Sequence, residues 1–159
     1  MNTLLQRIPL LSVLFWGIAT QAAQLPIILE AEDAKLFGEL KVEQVSGFSG
    51  NKYVHDFHIN SDSYYLYENI EVDQAGTYEL KAFTTGTARP FYIKVNDYER
   101  IVLRTSDSPD WNAPPTSVSS AYIYLDAGTN VIKMGTEFEN GPNIDKFEIH
   151  ATSVKIEKP

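Results

Sequence analysis

The sequence predicts an all-β sandwich, and two observations support this fold class. Short segments of strand-like composition recur about every ten residues, and no segment keeps helical periodicity for three turns. Within several of these segments the side chains alternate as they do in a half-buried strand, as Tyr78, Leu80 and Ala82 do with Glu79 and Lys81. This period of two favours strands that have one face on a core.

Nine segments are predicted as strands because they combine β-branched and aromatic residues between turn signals. They are Ile27–Ala31, Tyr53–Phe57, Tyr64–Val72, Thr77–Thr84, Phe91–Val95, Arg100–Leu103, Ala121–Leu125, Asn130–Gly135 and Ile144–His150.

Turn chemistry separates the predicted strands. Asn96 and Asp97 fit a tight hairpin, and Gly76 and Gly128 stand where we expect hairpin turns to require a positive φ. The stretch 105–120 is rich in Pro and Ser and contains a tryptophan. Because loops of this length are uncommon inside compact domains, we expect it to be functional.

The N-terminus has the layout of a secretory signal. Arg7 precedes an apolar run from Ile8 to Ala19, and small residues follow up to Ala22 and Ala23. The run is short for a membrane span. We therefore expect residues 1–23 to be a signal peptide and 24–159 to form a single domain, secreted to the periplasm or the extracellular space.

Charge and cysteine content narrow the function. The chain has 13 Lys and Arg against 21 Asp and Glu, a formal net charge of −8. Such a balance repels nucleic acid and anionic membranes and favours calcium or a neutral ligand. There is no cysteine, so neither disulfides nor thiolate metal sites contribute.

Two glutamates near the start of the mature chain suggest a metal site. Glu30 and Glu32 are two apart in a predicted strand, so their side chains leave the same face and repel each other unless a cation lies between them. With Asp145 from the last strand they make a hard oxygen site, which suits calcium better than zinc. A solvated strand face is the alternative interpretation.

Several motifs resemble a known family when they are taken together. "ILEAEDA" from Ile28, "VSGFSGNKYV" from Val45, "RPFYIKVND" from Arg89, "LDAGTNVIKM" from Leu125 and "GPNIDKFEI" from Gly141 occur in an order and spacing similar to carbohydrate-binding modules of families 35 and 6. The resemblance covers essentially the whole mature chain. It implies a jelly-roll, galactose-binding-like β-sandwich of two antiparallel sheets that binds polysaccharide or oligosaccharide without cleaving it.

The resemblance also implies a structural calcium ion between the first and last strands. It assigns Glu30, Glu32 and Asp145 as ligands, with a backbone carbonyl from the loop Gly47–Lys52 as a further ligand. Without the cation, these carboxylates would push the two ends of the mature chain apart.

Asn143 and Trp111 are the leading candidates for sugar contacts. Asn143 occupies the position at which the family places an amide in its binding cleft, and an amide both donates to and accepts from hydroxyls. Trp111 lies on the polar loop, where an indole face suits the C–H patches of a sugar. Alternatively, Asn143 is a turn residue that caps its own backbone, and Trp111 is a core residue.

Three further residues are weaker candidates for the carbohydrate site. Asp56 and Phe57 follow the strand that reaches the rim of the family's cleft. Arg89 has the planar fork that grips a carboxylate, which would matter if the ligand were a uronic acid, but it is equally a loop cation.

An enzymatic function is disfavoured because no catalytic pattern stands out. There is no Gly-x-Ser-x-Gly elbow, no His-Glu-x-x-His helix and no phosphate-binding glycine loop, and no pair of carboxylates is singled out for glycoside hydrolysis. The role that the resemblance implies is carbohydrate binding beside a glycan-degrading enzyme. The alternatives are an adhesive or structural β-sandwich that binds a protein partner and a small glycan-active enzyme.

Overall fold

A computed structural model describes residues 24–108, 110–136 and 138–159. The predicted signal peptide, residues 1–23, lies outside the described residues. Within the described part of the chain, no helix is long and apolar enough to cross a membrane.

The described residues form eleven strands, with short 3₁₀ turns at Ala31–Asp33, Ser49–Asn51 and Ile59–Ser61. The strands are β1 (Ile27–Glu30), β2 (Lys35–Phe37), β3 (Lys41–Gln44), β4 (Lys52–His55), β5 (Tyr64–Val72), β6 (Gly76–Thr85), β7 (Pro90–Val95), β8 (Ile101–Arg104), β9 (Val118–Leu125), β10 (Gly128–Gly135) and β11 (Asn143–Ala151).

The strands form two antiparallel sheets, which confirms the predicted sandwich. One sheet has the order β3-β4-β11-β6-β9 with β1 also paired to β11, and the other has the order β2-β5-β10-β7-β8. Aromatic and aliphatic side chains from both sheets fill the space between them. Phe147 of β11 is fully buried and packs edge-on against Tyr65, Tyr67 and Phe91 of the facing sheet.

Strand β11 positions the candidate site because two strands share one of its edges. One edge of β11 pairs with β6 along the full length of β11. The other edge of β11 pairs with β1 at residues 146–149 and with β4 at Ile144. Asp145 lies between these two pairings, at an irregularity in the register with β6. A bulge of this kind turns a side chain away from the regular alternation.

The nine predicted strands are all present, with ends that shift by up to three residues. Two short edge strands, β2 and β3, were not predicted, because three or four residues carry too little periodic signal and β3 is exposed throughout. Gly128 has φ 90° as predicted. The prediction for Gly76 was wrong, because this glycine begins strand β6 without a positive φ.

Candidate functional site

Three carboxylates meet the loop 45–51 at the junction of β1, β4 and β11. Glu30 ends β1, and Glu32 belongs to the 3₁₀ turn that follows rather than to the strand. The predicted shared strand face is therefore wrong in detail, yet both side chains reach this loop. Ser49 bridges the group: its backbone N–H donates to Asp145 Oδ1 over 2.8 Å and its hydroxyl donates to Glu30 Oε1 over 2.7 Å.

Gly50 lets the loop approach the Glu32 carboxylate closely. Its φ is 58°, and a Cβ at this position would lie 2.8 Å from Glu32 Oε1. Glycine meets both requirements, since it has no Cβ and adopts positive φ without strain. The loop therefore leaves room beside this carboxylate that any larger residue would occupy.

Burial and the neighbouring acids make negative charge unfavourable at Asp145. Asp145 is buried, and that burial, together with the nearby charges of Glu30 and Glu32, raises its pKa to about 6 against the opposing effect of the Ser49 N–H. The pKa of Tyr67, whose hydroxyl donates to the Glu30 carbonyl, is raised well above its usual value by burial and then by the charges of Glu32, Asp33 and Glu30.

Two oxygens of the set lack any donor. Among the described residues, Glu30 Oε2 and Glu32 Oε2 are buried without a hydrogen-bond partner, and an unpaired buried carboxylate oxygen is costly. No group of three or more His, Cys, Asp or Glu side chains within the described residues is already arranged to hold a metal ion. The two orphan oxygens nevertheless match the chemistry of a hard divalent cation, which accepts carboxylate, carbonyl and hydroxyl oxygens.

Trp111 forms the centre of a second cluster, at the ends of β6 and β11. Its indole lies against the backbone of Gly86, where a Cβ would come within 2.2 Å of ring atom Cζ3. Gly86 has φ 99° and exchanges two backbone hydrogen bonds with Ser108. The tryptophan is half-buried, so it is neither a core residue nor a freely exposed platform.

Asn143 fixes the tryptophan loop. Its side-chain amide donates to the Trp111 carbonyl over 3.0 Å, and the Thr85 hydroxyl donates to the same carbonyl over 2.9 Å. Within the described residues no donor reaches Asn143 Oδ1, so this oxygen can still accept from a ligand hydroxyl. Asn143 therefore holds the tryptophan loop through its Nδ2 and leaves its Oδ1 for a ligand.

Arg89 also belongs to the tryptophan cluster. Its guanidinium carbon lies 4.7 Å from the Trp111 ring centre, a cation–π arrangement, and its Nη1 donates to the Gly141 carbonyl over 3.4 Å. The structure thus brings Trp111, Asn143 and Arg89 together as one cluster at the loop end of the sandwich.

Asp56 lies outside this cluster. Its carboxylate binds Lys41 Nζ at 2.7 Å and His55 Nδ1 at 3.0 Å, and these partners, led by Lys41, lower its pKa to about 2. Among the described residues, no hydrogen bond or ion pair joins it to Trp111 or Asn143. The carboxylate of Asp56 is thus occupied by Lys41 and His55.

Phe57 is a core residue in the structure. Its side chain is 2% exposed, packs edge-on against Tyr65, and fills the space beside Gly141, whose N–H donates to the Phe57 carbonyl. A ring held in this way cannot stack on a sugar. Phe57 instead supports the Gly-Pro bend at Gly141 and Pro142 from below.

Sequence reasoning missed several residues that build these sites. Ser49 and Gly50 belong to the loop Gly47–Lys52, from which only a backbone carbonyl ligand was predicted. No role was predicted for Thr85 or Gly86. "FSGN" from Phe48 and "TTGT" from Thr84 contain glycines flanked by hydroxyl residues, but that composition is common to ordinary turns. Their roles depend on long-range contacts that spacing does not reveal.

Solved structures match this fold over most of the chain. A family 35 carbohydrate-binding module from Clostridium thermocellum is 29% identical, with a TM-score of 0.69, over 79% of this chain and 98% of that one. The native structure of a family 35 module from the same organism is 22% identical, with a TM-score of 0.68, over 81% and 100% of the two chains.

An enzyme structure matches over only part of its length. An exo-β-1,3-galactanase from Phanerochaete chrysosporium, solved with β-1,3-galactotriose, is 21% identical, with a TM-score of 0.70, over 82% of this chain and 30% of the galactanase. No protein-family model and no curated protein matches the chain.

The fold and its structural neighbours define the class of this protein as a β-sandwich of the carbohydrate-binding-module type. More particularly, the architecture is that of family 35 modules, matched along nearly their whole length, and the resemblance inferred from the sequence is confirmed.

Proposed function

We propose that the mature protein is an exported, non-catalytic module that binds polysaccharide or oligosaccharide at the Trp111 cluster and holds a structural calcium ion at Glu30, Glu32 and Asp145. The observation that carries the proposal is the convergence of Trp111, Asn143 and Arg89 at one end of a sandwich with the family 35 fold. The secretion part of the proposal rests on the N-terminal sequence alone.

The three clustered side chains have complementary roles toward a sugar. The Trp111 indole supplies an apolar surface for the C–H face of a pyranose ring. Asn143 Oδ1 accepts from a sugar hydroxyl while its amide N–H keeps the loop in place. Arg89 lies against the indole and offers its remaining N–H groups to ring oxygens, hydroxyls or a uronate carboxylate.

The calcium part of the proposal explains the buried acids. The ion would receive oxygens from Glu30, Glu32 and Asp145, with loop carbonyl oxygens from 47–52 as additional ligands, and it would supply the positive charge that this acidic junction lacks. Ser49 orients two of the carboxylates through its N–H and hydroxyl. Because the ion would bind only the folded chain, it would stabilise the native state by mass action.

A binding role fits the cluster better than catalysis. The acids nearest to Trp111 in sequence have structural partners: Asp110 accepts from the Asn112 N–H over 2.9 Å, and Asp107 accepts from the Ala88 N–H over 2.6 Å. The galactanase has this fold in only about a third of its own chain. By analogy, we propose that this protein acts beside a glycan-degrading enzyme.

Affinity electrophoresis tests the proposal directly. The parent, Trp111→Ala and the control Tyr122→Ala, an exposed aromatic substitution on β9, are run through gels that contain single soluble polysaccharides, with calcium or with chelator. We expect one or more glycans to retard the parent and the control but not Trp111→Ala, with similar melting temperatures for all three. Unchanged mobility of the parent in every neutral and acidic glycan would refute sugar binding, and release of reducing ends would refute the non-catalytic role.

A further inference from the structure

The loop at the acidic junction touches the loop that carries Trp111. We name residues 45–51 the cation loop and residues 110–116 the tryptophan loop. A Cβ on Gly47 of the cation loop would lie 3.0 Å from Pro114 Cγ of the tryptophan loop. The two loops are therefore in van der Waals contact, although they belong to different parts of the chain.

Tyr53 provides a second connection between the loops. Its ring stacks on Phe48 of the cation loop at a centroid distance of 4.6 Å, and both residues are buried. Its hydroxyl lies 3.2 Å from Asn112 Oδ1 in the tryptophan loop and donates to Glu43 over 2.5 Å. A displacement of Phe48 would thus reach Asn112, next to Trp111, through one rigid aromatic side chain.

Strand β11 provides the third connection. Asn143 binds the Trp111 carbonyl, and Asp145, two residues later, binds the Ser49 N–H. Asp145 lies within the register irregularity between Ile144 and Lys146, and Asn143 comes just before it. The same three residues of backbone therefore position both loops.

From these contacts we infer that occupancy of the Glu30, Glu32 and Asp145 set positions the tryptophan loop, with Tyr53 and Asn143 as the positioning residues. The inference rests on the calcium part of the proposed function and adds regulation to the sugar site. Without a cation, the buried carboxylates repel one another, and the cation loop that bonds two of them moves together with its neighbour. With a cation, the loop is held and the indole takes its binding position.

If the two sites are coupled, sugar binding and cation binding affect each other equally. If the cation raises sugar affinity, the sugar must raise cation affinity by the same factor, and couplings of this kind are commonly about 5-fold or more. The protein would then bind its glycan about 5-fold more tightly, or better, with calcium bound than without it.

The test uses calcium alone as the probe and Trp111 as the reporter. The full chain contains two tryptophans, at 16 and 111, so a Trp16→Phe background leaves Trp111 as the single emitter. Calcium is titrated into chelator-treated protein while the emission maximum and acrylamide quenching are recorded, and the melting temperature is measured in parallel. We expect a saturable shift of Trp111 emission with the same midpoint as the rise in melting temperature.

Variants separate coupling from binding. In Tyr53→Phe and Asn112→Ala, calcium should still raise the melting temperature, but the Trp111 response should fall at least about 2-fold, since one of the three connections is removed. Tyr98→Phe is the matched control, because its hydroxyl bonds Asp126 away from both loops. It should respond like the parent.

Each alternative outcome has one meaning. A rise in melting temperature with no Trp111 response in the parent would overturn the coupling and leave the metal site intact. No effect of calcium on melting would overturn both the coupling and the calcium part of the proposed function. Failure to find a sugar ligand would not alter either result, because no glycan is used in the titration.

Discussion

Asp145→Asn should change protein stability in opposite directions with and without calcium. The substitution keeps the size of the side chain and retains an oxygen that can accept from the Ser49 N–H, but it removes the charge. In chelator, that charge is buried beside Glu30 and Glu32 with no cation to offset it, so its removal should stabilise the fold. In calcium, the same change would replace a charged carboxylate ligand by a neutral amide oxygen, which binds the cation more weakly, so it should destabilise the fold.

The magnitude follows from the pKa of the carboxyl. Burial and the neighbouring glutamates raise the pKa of Asp145 from 3.8 to about 6, and each unit corresponds to about 1.4 kcal/mol. At pH 7 the ionised carboxyl therefore costs the metal-free fold about 3 kcal/mol. In a domain of this size, recovering that energy would raise the melting temperature by roughly 10 °C.

The sign of the pH dependence follows from the same pKa. Because the folded Asp145 carboxyl holds its proton more tightly than the unfolded one, the contribution of this group to metal-free stability is fully present below about pH 4 and is lost as pH rises through about 6. Calcium binds the deprotonated form, so saturating calcium should oppose this loss.

The free energy of unfolding of the parent and of Asp145→Asn is measured with denaturant at pH 5 and at pH 7, each in chelator and in calcium. Asp126→Asn is the control, since Asp126 is paired with Lys158 and its pKa is lowered. It should not show the reversal. Equal destabilisation by Asp145→Asn in chelator and in calcium would refute the idea that the acidic junction is strained without a cation.

Two other substitutions test neighbouring parts of the structure. Gly50→Ala should lower the free energy of unfolding by about 1 kcal/mol because of the positive φ. It should also reduce the calcium-dependent rise in melting temperature, because the new Cβ would lie 2.8 Å from Glu32 Oε1. Gly128→Ala is the control: Gly128 has φ 90° and no neighbour near its added Cβ, so the loss of unfolding free energy should be the same with and without calcium. Phe57→Ala should lower the free energy of unfolding by about 3–5 kcal/mol, because its ring is buried; a loss of sugar binding with unchanged unfolding would instead assign Phe57 to the binding site.

Most of the sandwich was predictable because its long strands alternate regularly. β5 has the predicted bounds, and β6, β7, β10 and β11 differ by one or two residues at their ends. The two missed strands, β2 and β3, are short edge strands that pair only with β5 and β4, respectively. Their pairing is decided by tertiary context, which a local pattern does not contain.

The sugar-site candidates were separated by long-range contacts. Trp111 and Asn143 are 32 residues apart; the pairing of β11 with β6 places Asn143 beside Thr85, and both side chains donate to the Trp111 carbonyl. Asp56 has φ 61° and follows the end of β4, so the strand does not continue to Phe57. The chain then turns the Phe57 ring into the core, where its position in the sequence had suggested a cleft rim.

Asp145 illustrates why a partner for a buried acid could be expected from the sequence while the geometry around it could not. An acidic residue inside an apolar strand is a strong signal because burying an unpaired charge is costly, so a partner for it can be expected from sequence alone. In a regular strand, however, adjacent side chains face opposite sides, and Ile144 and Asp145 would not both be buried within one layer. Two features of β11 account for the burial of Asp145. The bulge interrupts the alternation at this residue, and the partner strand on this edge changes from β1 to β4 at the same place. There the Asp145 carboxylate accepts from the Ser49 N–H of the cation loop.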